Sequence, residues 1–130
     1  MASLNGIDHI HVYVPDREQA AAWFRDLLGF EVVESLRVWA ADGGPLTIAD
    51  ATGIHLALFE RVGAAPSTAI AFGADAENFL EFKRVLEGRG ILVRCSDHDM
   101  AWSLYFKDPY ENLYEITCWD HRAVSEALGG

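Results

Sequence analysis

GIDHIHVYVPDREQAAAWFRDLLGF, residues 6–30, changes its hydrophobic period part-way along. From Ile7 to Val14 apolar and polar side chains alternate, the period of a strand with one covered face. From Asp16 the spacing lengthens, and Ala20, Trp23, Phe24, Leu27 and Leu28 fall together on one side of a helix. Asp16 with Gln19 three residues on has the form of a helix N-cap, and Gly29 stands where a helix would stop. The stretch predicts a strand followed by a helix.

Outward from it, FEVVESLRVWA (30–40), PLTIAD (45–50) and GIHLALFE (53–60) are three strand candidates, separated by Gly-containing turns. The small-residue run VGAAPS (62–67) follows, and then the order begins again. TAIAFGA (68–74) has the composition of a strand, and DAENFLEFKRVLEGRG (75–90) that of a helix with Phe79, Phe82 and Leu86 on one side. ILVRCS (91–96), WSLYFKD (102–108) and NLYEITCW (112–119) are three further strands, and HRAVSEALGG (121–130) is a short terminal helix. Two βαβββ units, about residues 6–61 and 67–119, predict one α+β domain over residues 1–130. Helices are expected on the outer face of a curved, mostly antiparallel sheet, with a concave site inside.

The bulk properties narrow the partners. A chain of 130 residues, 51% of them apolar, suits one folded domain with a real core. A net charge of -10 without a basic cluster argues against nucleic acid and anionic membrane surfaces. The absence of a basic start followed by an apolar run, and of any membrane-length apolar stretch, points to a cytoplasmic protein. Cys95 and Cys118 have neither metal-type spacing nor the density of a disulfide scaffold, and are expected as two small buried thiols.

Strand alternation sorts the polar residues by face. With Ile10, Val12 and Val14 covered, His9, His11 and Tyr13 point the other way; with Ile54, Leu56 and Leu58 covered, so do His55, Ala57 and Phe59. The same rule turns Ser103, Tyr105 and Lys107, and Leu113, Glu115 and Thr117, to the uncovered side. A concave site would collect His9, His11, His55, Tyr105 and Glu115. Imidazoles and a carboxylate with open positions are a ligand set for Fe2+ or Mn2+ and, less selectively, for Zn2+ or Ni2+. The alternative for each is an ordinary polar contact on a strand.

The stretches GIDHIHVYVPDREQAAAWFRDLLGF and WSLYFKDPYENLYEI resemble the opening and closing signatures of the vicinal oxygen chelate superfamily. That superfamily includes glyoxalase I, bleomycin- and fosfomycin-resistance proteins and extradiol ring-cleaving dioxygenases. By this resemblance His9 in DHI matches the first metal ligand and Glu115 in YEI the last. Many members open the fifth strand with a further histidine ligand, and here that position is Ala69, a departure from the pattern. His55 falls on the strand where glyoxalase I-like members have a carboxylate ligand, so His9, His55 and Glu115 would restore a triad. The run DHDMAWSLYFKDP resembles the loop and strand of dioxygenase-like members, which implies an acid/base or supporting role for His98 and a substrate hydrogen-bonding role for Tyr105. DPYEN departs from the family's more usual Asp-Pro-Asp-Gly turn; Asp108 and Pro109 are expected to be structural.

Trp39, Trp102 and Trp119 are candidates for lining the cavity or for packing. The resemblance implies a homodimer and a small-molecule substrate, and a divalent metal ion as cofactor. The leading expectation is a metal-dependent, dioxygenase-like enzyme, ahead of a glyoxalase-like isomerase or lyase. A metal-free protein of the bleomycin-resistance kind, holding a cationic aromatic drug in an acidic groove, is the alternative from a different class. An accessory module with neither metal nor ligand is the third.

Overall fold

The computed structural model describes residues 7, 9–41, 43–63 and 70–129. The chain divides into two compact units, residues 1–65 and 66–130, and the boundary falls inside the VGAAPS run. Each unit is an α+β layer pair in which a four-stranded sheet is covered on one face by helix.

In the first unit β1 (Ile10–Val14) leads into α1 (Arg17–Leu28). Asp16 is extended at the cap, and its Oδ1 accepts a 2.9 Å bond from the Gln19 N–H. Gly29 closes the helix at φ 76°, a left-handed conformation that glycine adopts without steric cost. Ala20, Ala21, Phe24 and Leu27 are the buried face of α1, whereas Trp23 and Leu28 are half-buried. That face packs on a sheet whose Val12, Val14, Ile48, Leu56 and Leu58 are fully buried. The strand order is β1-β4-β3-β2, with β3 Leu46–Ala49 and β4 His55–Glu60; β1 runs parallel to β4 and the other pairs are antiparallel.

The expected long strand over residues 30–40 is corrected. Only Glu31–Val32 forms β2; Glu34–Leu36 is a 3-10 turn and Arg37–Ala41 a short helix, α2. Two features favour the turn over the strand. Arg37 bridges Glu34 at 2.8 Å and Glu18 of α1 at 2.5 Å, which closes the segment back onto the first helix. Leu36 and Trp39, three residues apart, share one side of the helical segment and both line a cavity, whereas a strand would send them to opposite faces.

The second unit repeats the plan: β5 Ile70–Gly73, α3 Ala76–Gly88, β6 Leu92–Asp97, β7 Trp102–Lys107 and β8 Leu113–Cys118, with α4 His121–Gly129 added. Its order is β5-β8-β7-β6, with β5 parallel to β8. The expected α+β class and mostly antiparallel pairing hold, with the strands in two four-stranded sheets that each have one parallel junction. Asp75 caps α3 by accepting the Asn78 N–H at 2.9 Å, a bond that holds its carboxyl below the usual range. Phe79 and Leu86 are buried on α3, which packs on β6, β7 and β8, where Leu104, Phe106, Tyr114 and Ile116 are buried; Phe82 is half-buried. Among the described residues no helix is long and apolar enough to cross a membrane.

Candidate functional site

The face sorting holds in both sheets. In the first, His11 is registered with Ala57 and Tyr13 with Phe59, so these four side chains share the face opposite Val12, Leu56 and Leu58. His11 lies against Phe59 with ring centroids 4.6 Å apart. A cavity of about 240 Å³ opens on this unit, walled by Leu36, Trp39, Pro45 and Ala57, with His9 and His55 as its imidazoles. Trp39 thus lines the cavity.

The imidazoles are positioned by short bonds. His55 Nδ1 lies 2.9 Å from the Gly53 carbonyl oxygen. A carbonyl can only accept, so Nδ1 is the donor, and the neutral ring of this tautomer has its lone pair on Nε2. His9 and His11 stack at 4.9 Å with their Nε2 atoms 3.0 Å apart, an N–H···N bond in which one ring donates and the other accepts.

In the second sheet the uncovered face is built of hydroxyls around a carboxylate. Glu115 is registered with Tyr105 on one side and Ala71 on the other; Ser103 is registered with Thr117. Glu115 Oε2 accepts from Ser103 Oγ at 2.7 Å and from Thr117 Oγ1 at 2.9 Å. Alternation put both hydroxyls on this face but assigned them no role. The signal for Thr117 was its i, i+2 spacing from Glu115; Ser103 needed the β7–β8 register. His98 Nε2 lies 3.0 Å from the Tyr105 hydroxyl, so the two residues given a catalytic role from the sequence are hydrogen-bonded to each other.

Other candidates resolve into structure. Trp102 is registered with Cys118, on the covered face, and donates from Nε1 to Ser125 Oγ of α4 at 2.9 Å. Trp119 is 72% exposed. His121 contacts Asp97 at 2.6 Å, and this bond, followed by the Asp99 N–H, keeps the Asp97 carboxyl below its ordinary range. Asp108 is buried and accepts from the Tyr110 and Asn112 N–H groups, the Asn112 amide and the Tyr114 hydroxyl, all within 3.0 Å, so its structural reading stands. Burial, then the Asp108 charge, pushes the Tyr114 phenol far up. Cys118 is buried and Cys95 half-buried, and burial raises the Cys95 thiol. Ala69 lies outside the described residues.

Residues 6–116 match the family model of the Glyoxalase/Bleomycin resistance protein/Dioxygenase superfamily. The chain belongs to this superfamily. Solved structures agree on the glyoxalase fold. A lactoylglutathione lyase from Agrobacterium tumefaciens is 23% identical, with a TM-score of 0.71 over 89% of this chain and 95% of its own. A glyoxalase/dioxygenase from Nostoc punctiforme is 20% identical, with a TM-score of 0.72 over 88% and 90%. The fosfomycin resistance protein FosX from Listeria monocytogenes, complexed with Mn(II) and sulfate ion, is 16% identical, with a TM-score of 0.69 over 97% and 99%. No curated protein matches the chain by sequence.

Among the described residues no group of three His, Cys, Asp or Glu side chains is gathered as a metal cluster. Two of the candidate donors have hydrogen-bonded surroundings of the kind metal ligands commonly have. Metal-binding histidines usually donate their second ring N–H to a carbonyl or carboxylate, and ligating carboxylates are themselves hydrogen-bonded. His55 has the first arrangement through Gly53, and Glu115 has the second through Ser103 and Thr117. The donor set of imidazole nitrogen and carboxylate oxygen fits a divalent ion of the Fe2+, Mn2+, Zn2+ or Ni2+ group.

Proposed function

We propose that the chain is a metal-dependent vicinal-oxygen-chelate enzyme acting on a small molecule with two neighbouring oxygens, nearer to a dioxygenase than to a glyoxalase-like isomerase or lyase. The observation that carries this reading is the hydrogen-bonded support beneath two proposed ligands: Gly53 O under His55, and two hydroxyls under Glu115. His9, His55 and Glu115 are the proposed metal ligands. A bound divalent ion would supply Lewis-acid polarisation and open positions for the substrate's oxygens.

The chain's own residues supply the rest. Ser103 and Thr117 hold Oε2 of Glu115, which leaves Oε1 for the proposed ligand role. Leu36 and Trp39 give the His9 and His55 cavity an apolar wall that excludes water from the substrate's hydrocarbon part. The Tyr105 hydroxyl and His98 Nε2, 3.0 Å apart, form a pair along which one proton can pass: Tyr105 donates to a substrate oxygen and His98 restores it. The dioxygenase-like preference rests on the resemblance of the loop and strand that carry this pair to those of dioxygenase-like members. A small molecule is the ligand partner in this reading, and a second copy of the chain the assembly partner.

One observation favours a second reading. The cavity is mostly apolar and carries an exposed tryptophan at its wall, as a metal-free drug-sequestering protein requires. Metal analysis by plasma mass spectrometry separates the two, on protein purified without chelator and then incubated anaerobically with each of the four ions. The enzyme reading expects near-stoichiometric metal that falls in His9→Ala, His55→Ala and Glu115→Ala, followed by turnover of a catechol or a 2-oxoaldehyde. Metal-free protein, or metal retained in all three variants, overturns it.

A further inference from the structure

Ten cationic side chains stand against twenty acidic ones in this sequence. Arg17, Arg25, Arg37, Lys83, Arg84, Lys107 and Arg122 are each within an ion pair. Among the described residues Arg61, Arg89 and Arg94 are in none of these pairs, and Arg61 lies over the Tyr13 ring at 4.5 Å. The Arg94 guanidinium lies over the Tyr105 ring, 4.6 Å from the centroid. What distinguishes Arg94 from Arg61 is its place on the strand next to Tyr105 and one further strand from Glu115.

The geometry says what it is free to do. Stacking engages the flat face of a guanidinium and leaves its N–H groups, which lie in the plane, pointing outward. Those donors match the two oxygens of a carboxylate or a phosphate-type group. The ring beneath also takes water from one face of the cation, which strengthens its attraction for an anion. The position is set by register: Arg94, Tyr105 and Glu115 lie side by side on β6, β7 and β8 and share the uncovered face. The irregularity between Leu92 and Arg94 is what brings Arg94 opposite Tyr105.

We propose that Arg94, stacked on Tyr105, is an oxyanion-binding subsite, and that the substrate carries an anionic group at the end remote from its two neighbouring oxygens. The remote end stands on the Arg94 geometry alone; the oxygen-bearing end rests on the function proposed above. Two strand spacings of about 4.8 Å separate the Arg94 and Glu115 backbones, so the molecule spans about 10 Å between its two anchors. A catechol ring with a short acidic side chain has this length. Tyr105 thereby has two tasks: its ring seats the arginine, and its hydroxyl reaches the reacting end through the His98 pair.

The test is an NMR titration of the full chain, supplemented with metal, against four probes: catechol, 3-(3,4-dihydroxyphenyl)propanoate, benzoate and phenylphosphonate. Wild type is expected to bind the dihydroxyphenylpropanoate more tightly than catechol, with the Arg94 side-chain N–H resonance moving. Arg94→Ala weakens the acidic probe by about tenfold or more and leaves catechol unchanged. Arg94→Lys keeps part of the difference, and Arg89→Ala, which removes a cation elsewhere in the unit, keeps all of it. The ratio of benzoate to phenylphosphonate affinity tells which oxyanion is preferred. Equal affinity of wild type for the acidic probe and catechol overturns the proposal, as does an unchanged ratio in Arg94→Ala. Benzoate or phenylphosphonate binding that depends on Arg94, in protein that binds no catechol, upholds the subsite and removes the vicinal-oxygen reading instead.

Discussion

The turn joining β3 to β4 and the turn joining β7 to β8 are the same turn made twice. Asp50 Oδ1 accepts the Thr52 and Ile54 N–H groups, and Asp108 Oδ1 accepts those of Tyr110 and Asn112. Each aspartate N–H then donates to the carbonyl four residues on, at 3.1 and 3.0 Å. The residue between is left-handed in both, Gly53 at φ 94° and Glu111 at φ 73°. What differs is the surroundings. Asp50 is half-buried and its second oxygen meets the Thr52 hydroxyl; Asp108 is buried, and its second oxygen holds the Asn112 amide and the Tyr114 hydroxyl. The backbone plan repeats because its caps and turn residues repeat, while the weight each copy bears depends on what is packed over it.

The same contrast runs through the two uncovered faces. Registering the repeats by their parallel strands, with Ile10 facing Leu56 and Ile70 facing Tyr114, makes Ala57 the counterpart of Glu115 and Leu113 that of His55. The first unit therefore presents imidazoles and an apolar wall where the second presents a carboxylate, two hydroxyls and a phenol. Duplication supplied one scaffold, and substitution at alternate strand positions made its copies chemically different.

That comparison breaks most visibly at the turns. Asp108→Ala removes the buried carboxylate that four donors share and should cost about 3–5 kcal/mol, whereas Asp50→Ala, nearer to water, should cost about 1–2 kcal/mol. Urea unfolding of the two variants measures the gap, and equal losses would mean that burial does not separate the copies. On the second face, Ser103→Ala with Thr117→Val should lower metal affinity by about 10- to 100-fold without changing the fold. His11→Ala on the first face should leave most of the metal bound, since His11 is not among the proposed ligands; competition with a chromogenic chelator reads both.

Smaller effects test the left-handed positions. Glu111→Gly should raise stability by up to about 1 kcal/mol and Gly53→Glu should lower it by a similar amount, because only glycine occupies that region without strain. A thermal melt of each decides, and a loss in both would show that the Lys107–Glu111 pair outweighs the strain. The smallest effect concerns acid. The folded Asp97 carboxyl lies below its unfolded value of about 3.9, so its contribution is complete above that pH and disappears as pH falls through the folded value. Asp97→Asn should therefore be less stable than wild type near neutrality and converge with it in acid; a difference that persists below the folded value would assign the loss to α4 packing instead.

Much of this fold was legible in the chain. Asp16, Asp75 and Gly29 mark helix ends by local hydrogen-bonding and steric rules, and they act in the structure as those rules require. Alternation sorted His11, Tyr105, Glu115 and Thr117 to the uncovered faces correctly, because side-chain direction in a strand is a matter of parity. Residues 33–40 depart from the expected strand for a physical reason. Leu36, Val38 and Trp39 satisfy a strand pattern almost as well as a helical one, and the choice was made by Arg37 reaching Glu18 on another element. Trp102 was likewise undecided, since only the packing of α4 shows that it serves Ser125 rather than a ligand.

By itself the sequence determined the two βαβββ units, the capped helices, the covered and uncovered sets of strand residues and, through its motifs, the superfamily. These follow from periodicity and from bonds that close within a few residues. Tertiary structure alone decided the sheet orders with their parallel junctions, the hydroxyls on Glu115, the bond between His98 and Tyr105 and the seat of Arg94 on the Tyr105 ring. Each of those depends on which strand lies beside which and in what register. That choice is made by burial of the opposite face and by chain crossings, which no local pattern encodes.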